Sequence, residues 1–418
     1  MNNRSIKLLI SIFMVIALLI VTASFYTRYT SGQDDSPDQT AGQTQQNSSV
    51  QGQNKDDDGQ VIMSKPHDSE NGEDSQETEH TEPTTALHQV QLPVSMYDPP
   101  PEMPDIGTGL KRWPEVLSIP VVRKPDLDVY RNVTGENPLE GITIILDPGH
   151  GGQDGGAQYP IGVASPDYVE KEIVLEVSLL IRDYLEEMGA TVHMLREEDI
   201  WLSIYARIAL TSQYLLDDFM SLLPYHGYKP DALAHIRPQL EEMIEINSDF
   251  ASSGGRGPML GIGTNEDMRL LMDVLAQYPD VLFISVHCNA LEDLSVGGLQ
   301  VFYQTGEHAY QQEHSSVMYQ DPDNNPPAYS MYPDEDRLRL AQLVRDHILE
   351  KIPELKFRGE SDLLEANFAL LREMNMTSIL LEMGFITNER DRGIIMSRQG
   401  QEKIARGVAD AVYAYYTS

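Results

Sequence analysis

The segment Gly141–Ala157, GITIILDPGHGGQDGGA, determines how the rest of the chain is interpreted. Its first half contains a short apolar run, Ile142 to Leu146, that is rich in β-branched residues and follows a glycine, a pattern typical of a buried strand. The run then breaks into Asp147-Pro148-Gly149-His150-Gly151-Gly152, where proline and glycine allow a tight turn. His150 therefore lies at the carboxyl end of a predicted strand, which is where ligands bind in open α/β sheets.

Strand and helix patterns alternate from Gly141 to the end of the chain, which predicts an α/β domain. The strand patterns are short apolar runs, and the helix patterns carry apolar residues at helical spacing. The predicted strands are 142–146, 191–195, 280–286, 298–303 and 377–381, and the predicted helices are 170–188, 203–214, 335–352 and 401–416.

Four polar side chains stand where these elements end or begin. His150, His287 and Glu382 each follow a predicted strand, and Glu170 begins the first helix. If the strands are parallel neighbours, all four groups meet at one edge of the sheet. Two imidazoles and one carboxylate form a common catalytic zinc set with an open fourth position, and a second carboxylate nearby suits a general base.

The chain resembles the zinc-dependent N-acetylmuramoyl-L-alanine amidases, which are cell-wall hydrolases. The resemblance rests on motifs that occur in the family's order and together extend from Gly141 to the C-terminus. They are Asp147 to Gly152 with Asp154 and Gly156, Glu170-Lys171, Ser285 to Ala290, and Leu381 to Asn388.

This resemblance implies a mixed, mostly parallel sheet flanked by helices, in a single catalytic domain. It implies that His150, Glu170 and His287 hold Zn²⁺ and that Glu382 is the catalytic carboxylate. The implied reaction is hydrolysis of the amide between the lactyl group of muramic acid and the L-alanine of the stem peptide. Zinc brings the pKa of a bound water to roughly 7 in favourable sites, and Glu382 would carry the proton to the leaving amine.

Several neighbours of these motifs admit two interpretations. Glu172 is an alternative ligand to Glu170, although on a helix it points to another side. Asp147 either orients an imidazole or caps the turn, and Asn289 either touches substrate or stabilises a turn. Arg207 either pairs with an acid near the site or, as is more common, lies on a solvated helix face. Cys288 is expected to be a small core residue and not a ligand.

Composition restricts the partners. The 418 residues include 65 acidic and 30 basic side chains, for a net charge of −35, which argues against nucleic acid as a partner. A single cysteine, Cys288, excludes an intrachain disulfide and a thiolate zinc cluster. The family resemblance, not the composition, implies peptidoglycan as the substrate; a protein regulator is a further candidate partner, and we expect a monomeric chain.

Three segments precede the predicted domain. Residues 1–30 hold Arg4 and Lys7 before an apolar run, Leu8 to Ala23, and are either a signal peptide or, as we favour, a membrane anchor. Residues 31–85 carry 13 acidic side chains against two lysines and almost no apolar content, which predicts a disordered acidic linker. Residues 86–140 are rich in proline, which predicts an extended segment packed along the domain. The domain, 141–418, is then expected to face the cell wall outside the cytoplasm.

Two stretches, 215–264 and 304–334, are interpreted as insertions in the domain. Some regulated relatives block their zinc with a glutamate from an inserted helix, and 304–334 occupies the corresponding place. Its candidates to reach the metal are Glu307, His308, Glu313 and His314. The proline-rich half of this stretch argues against a blocking helix, so we favour a surface excursion. The alternative function is therefore a blocked wall-binding or regulatory protein on the same scaffold, and a zinc peptidase is a third possibility.

Overall fold

The computed structural model describes residues 89–94, 110–246, 248, 257, 263–317 and 326–418. Within these residues no helix is both long and apolar enough to cross a membrane. The predicted anchor, 1–30, and the predicted linker, 31–85, lie outside the described residues.

The centre of the domain is a six-stranded mixed sheet in the order β4-β1-β5-β8-β6-β7. The strands β4, β1, β5 and β8 are parallel to one another, β6 is antiparallel to β8, and β7 is parallel to β6. A separate two-stranded antiparallel ribbon is formed by β2 and β3. The strands are β1 (Thr143–Pro148), β2 (Gln158–Tyr159), β3 (Tyr168–Val169), β4 (Thr191–Met194), β5 (Val281–Asn289), β6 (Gln300–Tyr303), β7 (Leu363–Glu365) and β8 (Thr377–Phe385).

Helices cover both faces of this sheet, as the α/β prediction required. They are α1 (Glu170–Glu187), α2 (Ile204–Leu222), α3 (Arg237–Ile246), α4 (Glu266–Leu275), α5 (Gly306–Val317), α6 (Asp334–Lys351), α7 (Ala369–Arg372), α8 (Glu389–Ile395) and α9 (Arg398–Thr417). Serine or asparagine caps the N-terminus of α2, α4, α8 and α9 by accepting a backbone N–H hydrogen bond.

The two faces of the sheet bury separate hydrophobic cores because side chains alternate along a strand. In β1, Ile144 and Leu146 pack with α1, α6 and α9, whereas Ile145 lies in the other core with α2, α3 and α4. In β5, Leu282 and Ile284 join the first core and Phe283 joins the second. The strands of the parallel part are thus buried on both sides, as expected of a sheet sandwiched by helices.

The described part of the proline-rich segment runs along the domain with few regular elements. Its one helical turn is a 3₁₀ helix, Leu127–Tyr130. The backbone N–H of Ser118 donates to Asp273 at 2.6 Å, and that of Val122 donates to the side-chain oxygen of Gln277 at 2.8 Å. The segment is therefore fastened to α4 and to the turn that follows it.

Several predicted boundaries differ from the structure. The helix predicted to end at residue 214 continues to Leu222, because Leu216 and Phe219 extend its buried face into the second core. The stretch interpreted as an insertion from residue 215 thus begins inside a core helix. Helix α4 was not predicted from the sequence. The first half of the stretch 304–334, which was interpreted as an insertion, forms helix α5.

Candidate metal centre and active site

The parallel strands bring the predicted residues together at their carboxyl ends. His150 follows β1, and His287 and Glu382 lie opposite each other in the register of β5 and β8. Glu170 is the first residue of α1 and is 2% exposed. Potential ligand atoms of His150, Glu170 and His287 all lie within 4.8 Å of one another.

The Glu170 carboxylate lies between the two imidazoles. Its oxygens are 3.1 Å from His150 Nε2 and 3.0 Å from His287 Nδ1. The backbone N–H groups of Cys288 and Ala157 donate to the same carboxylate at 2.9 and 2.6 Å, which fixes its orientation. Burial opposes ionisation of Glu170, but the hydrogen bonds from both histidines hold its pKa well below its usual range.

Asp154 orients the first histidine. Its Oδ2 is 2.7 Å from His150 Nδ1, so Nε2 faces Glu170 and His287. Burial lowers the pKa of His150, but the hydrogen bonds to Asp154 and Glu170 outweigh it and raise this pKa to about 9. Asp154 therefore orients the imidazole, which is the role that we considered for Asp147. Asp154 lies in a glycine-rich turn without helix or strand periodicity, so no periodic pattern indicated this role.

Two glycines allow the cluster to be this compact. A Cβ at Gly149 would lie 2.2 to 2.6 Å from three atoms of the His287 ring. A Cβ at Gly156, whose φ is +68°, would lie 2.5 Å from Glu170 Oε2 and 2.6 Å from His150. Both glycines of the sequence motif thus leave room for the candidate ligands.

Glu382 occupies a different environment from Glu170. Its Oε2 is inaccessible to solvent and has no hydrogen-bond partner among the described residues. Burial raises the pKa of Glu382 to about 7, against the opposing influence of the two histidines. A carboxyl group with a pKa near neutrality is suited to accept and then return a proton.

Two buried arginines hold the His150 loop. Arg207 makes an ion pair with Asp147 and donates to the carbonyl oxygens of Pro148 and His150 at 2.7 and 2.5 Å. Arg196 donates to the carbonyl oxygens of Pro148 and Gly149 at 3.0 and 2.8 Å. The solvated face that we favoured for Arg207 is wrong, since its side chain is only 3% exposed; the role of Arg196 was not predicted.

The other neighbours take structural positions. Glu172 is exposed, so it does not share the site with Glu170. Asn289 donates to Gln300 at 3.1 Å and accepts from the N–H of Ala290, contacts of the kind expected under the turn-stabilising one of its two interpretations. Cys288 is buried in the first core, and burial raises the pKa of its thiol.

Two of the residues of 304–334 that we considered as metal-blocking groups, Glu307 and Glu313, make other contacts, and the side chain of His314 lies outside the described part of the chain. Glu307 forms an ion pair with Arg112 at 3.0 Å. Glu313 is 5% exposed and accepts from the N–H of Gly263 at 3.3 Å. Neither belongs to the His150–Glu170–His287 cluster, nor to the described lining of the cavity beside it.

That cavity, here called the catalytic cavity, has a volume of about 370 Å³, within the range of small-molecule sites. Glu382, His150 and His287 open into it, together with a set of mainly apolar side chains. Its lining is His150, Asp154, Trp201, Leu202, Ile204, Arg207, His287, Phe368, Ala369, Leu370, Leu380 and Glu382. Sequence reasoning did not identify Trp201 or Phe368. Trp201 lies in the loop after the carboxyl end of β4, and this position could have marked it as a candidate site residue. No sequence pattern singled out Phe368.

Known proteins resemble this chain over the same region. The family model for N-acetylmuramoyl-L-alanine amidase matches residues 144–222 and 265–414. A germination-specific N-acetylmuramoyl-L-alanine amidase of Bacillus subtilis is 23% identical over 67% of this chain and 82% of its own length. The amidase AmiC of Neisseria meningitidis is 25% identical over 70% of this chain, and the chain spans only 58% of that relative.

Solved structures of such amidases also align with the chain. The amidase AmiC2 of Nostoc punctiforme is 21% identical, with a TM-score of 0.37, over 66% of this chain and 98% of its own. The CwlD amidase from Clostridioides difficile, solved in complex with the GerS lipoprotein, is 21% identical, with a TM-score of 0.39, over the same shares.

Proposed function

The chain belongs to the N-acetylmuramoyl-L-alanine amidase family, and we propose that it hydrolyses the lactyl–L-alanine amide of peptidoglycan with Glu382 beside a zinc ion held by His150, Glu170 and His287. The observation that carries this proposal is the placement of Glu382. A partly desolvated carboxyl group with an unpartnered oxygen opens into the same cavity as a two-histidine, one-glutamate cluster.

The donor set suits zinc. Two imidazole nitrogens and one carboxylate oxygen are typical ligands of catalytic zinc, which keeps a further position for water or substrate. The cluster already holds these donors within 4.8 Å of one another, and Asp154 fixes the tautomer of one imidazole. When bound, zinc supplies Lewis acidity, which lowers the pKa of a coordinated water and polarises the scissile carbonyl.

The protein's own residues perform the proton transfers. Glu382 accepts the proton of the attacking water, because its buried Oε2 has no competing hydrogen-bond donor among the described residues. It then gives this proton to the nitrogen of L-alanine as the amide bond breaks, so a pKa near neutrality serves both steps.

The test combines metal content with product formation. We would measure zinc by elemental analysis, and new L-alanine amino termini released from purified peptidoglycan, for the wild type and for Glu382→Gln. We expect about one zinc in both and a loss of activity of about 10²- to 10⁴-fold in the variant. Glu172→Gln, which changes an exposed glutamate close to a candidate ligand, should retain both zinc and activity.

The remaining outcomes separate the alternatives. Zinc without product release by the wild type would favour the blocked or wall-binding alternative. Absence of zinc after loading would contradict the proposed ligands.

We further propose that residues 1–30 anchor the enzyme at the membrane with its domain facing the wall. Fractionation of the intact chain and of a chain lacking residues 1–30 tests this, since only the former should remain with membranes.

A further inference from the structure

Two charged side chains of the catalytic cavity, those of Asp154 and Arg207, are engaged within the protein. Asp154 is bonded to His150, and Arg207 is bonded to Asp147 and to backbone carbonyl oxygens. The one guanidinium in the described lining is therefore not free to receive a carboxylate of the substrate. Apart from the candidate ligands His150 and His287 and the carboxyl group of Glu382, the rest of the lining is apolar and comprises Trp201, Leu202, Ile204, Phe368, Ala369, Leu370 and Leu380.

Trp201 is fixed against the loop that carries His150. A Cβ at Gly152 would lie 2.7 Å from the Trp201 backbone nitrogen and 3.0 Å from its Cβ, so the two segments are in direct contact. The N–H of Gly152 also donates to Asp199 at 2.7 Å, two residues before the tryptophan. The backbone of Trp201 is thus held by the same loop that positions the candidate metal ligand.

Phe368 enters the cavity from a different segment. It immediately precedes α7, is 37% exposed, and packs edge-on against Phe302 of β6 with ring centroids 5.3 Å apart. Leu370, two residues later, is 5% exposed and belongs to the second core. The phenyl ring is therefore packed against the sheet, and the segment that carries it is anchored by the buried Leu370.

We propose that Trp201 and Phe368 determine specificity by enclosing the methyl group of the L-alanine whose nitrogen leaves. This inference rests on the proposed function. Glu382 must reach that nitrogen, and the alanine methyl carbon is only two bonds away from it. The methyl group therefore enters the cavity that contains Glu382, and most of the other side chains that line this cavity are apolar.

Two soluble substrates test this proposal: a muramoyl peptide that begins with L-alanine and its analogue that begins with glycine. One methyl group in an apolar pocket changes kcat/KM by about 10- to 200-fold, so the wild type should prefer alanine by an amount in this range. In Trp201→Ala this preference should fall to a few-fold, because the alanine substrate loses its contact while the glycine substrate does not. Phe368→Ala should act in the same direction.

The controls distinguish specificity from folding and from chemistry. Ile200→Ala removes an apolar side chain that is 40% exposed, adjacent to Trp201 and outside the cavity lining, so it should keep the wild-type preference. Zinc content should be unchanged in every variant. If Trp201→Ala fails to fold, Trp201→Leu together with Phe368→Ala answers the same question.

The results that would overturn this inference differ from those that would overturn the proposed function. Equal cleavage of both substrates by the wild type, or an equal loss for both in Trp201→Ala, overturns the methyl pocket while leaving the amidase intact. Cleavage of neither substrate by zinc-loaded wild type overturns the proposed function itself.

Discussion

Replacing Arg207 by methionine should destabilise the protein strongly, because it leaves a buried carboxylate without its partner. Asp147 is fully buried. In the variant, its one remaining side-chain hydrogen bond among the described contacts is donated by the hydroxyl of Ser285, at 2.7 Å. Breaking a buried ion pair from one side costs about 3–5 kcal/mol. The carbonyl oxygens of His150 and Leu202 also lose a donor in this variant, so the upper part of this range is expected.

Urea unfolding followed by circular dichroism measures this cost. Because the total stability of a domain is about 5–15 kcal/mol, the variant should unfold at a much lower urea concentration than the wild type. Arg207→Lys should fall between the two, because a lysine keeps the charge but cannot reach the carboxylate and several carbonyl oxygens at once. The double variant Asp147→Asn with Arg207→Met should recover part of the loss, because no charge then remains unpaired.

A matched control separates the buried pair from arginine loss in general. Arg237 forms an ion pair with Asp217 on the surface, where both side chains are more than 40% exposed. Arg237→Met should therefore unfold at nearly the wild-type urea concentration. If Arg207→Met were no less stable than Arg237→Met, or if the double variant were the least stable of all, the assignment of Arg207 as the support of the His150 loop would be wrong.

Three further predictions concern the metal centre. Asp154→Ala should weaken zinc binding about 10- to 100-fold, measured by chelator competition near pH 9.5; unchanged affinity would contradict its orienting role. The raised pKa of His150 means that zinc must displace a proton from this imidazole below about pH 9. The apparent affinity for zinc should therefore rise with pH and level off above that value. An affinity that does not change between pH 6 and pH 10 would refute this. Gly149→Ala should abolish zinc binding by displacing the His287 ring. Retention of the wild-type zinc content would contradict this prediction, because it would show that the loop shifts to accommodate the added methyl group.

The sequence identified the residues of the candidate site better than their surroundings. His150, His287 and Glu382 were placed at one edge because polar residues after parallel strands must lie there, and the register of β5 and β8 sets two of them side by side. The α/β architecture follows from the alternating strand and helix patterns, whereas the mixed sheet was implied by the family resemblance, and both are confirmed. Whether zinc binds there stays a prediction.

Contacts between distant segments were decided only by the tertiary structure. A helical pattern shows that Arg207 lies on a helix, but not that the Asp147 turn covers it, because that depends on how α2 packs against β1. The extension of α2 to Leu222 likewise depends on the core formed with α3 and α4. Trp201 and Phe368 are separated by more than 160 residues and meet one cavity only when the sheet forms. Local sequence thus determines strands, turns and candidate ligands, whereas the pairing of buried charges and the shape of the cavity arise from packing between segments that no local pattern connects.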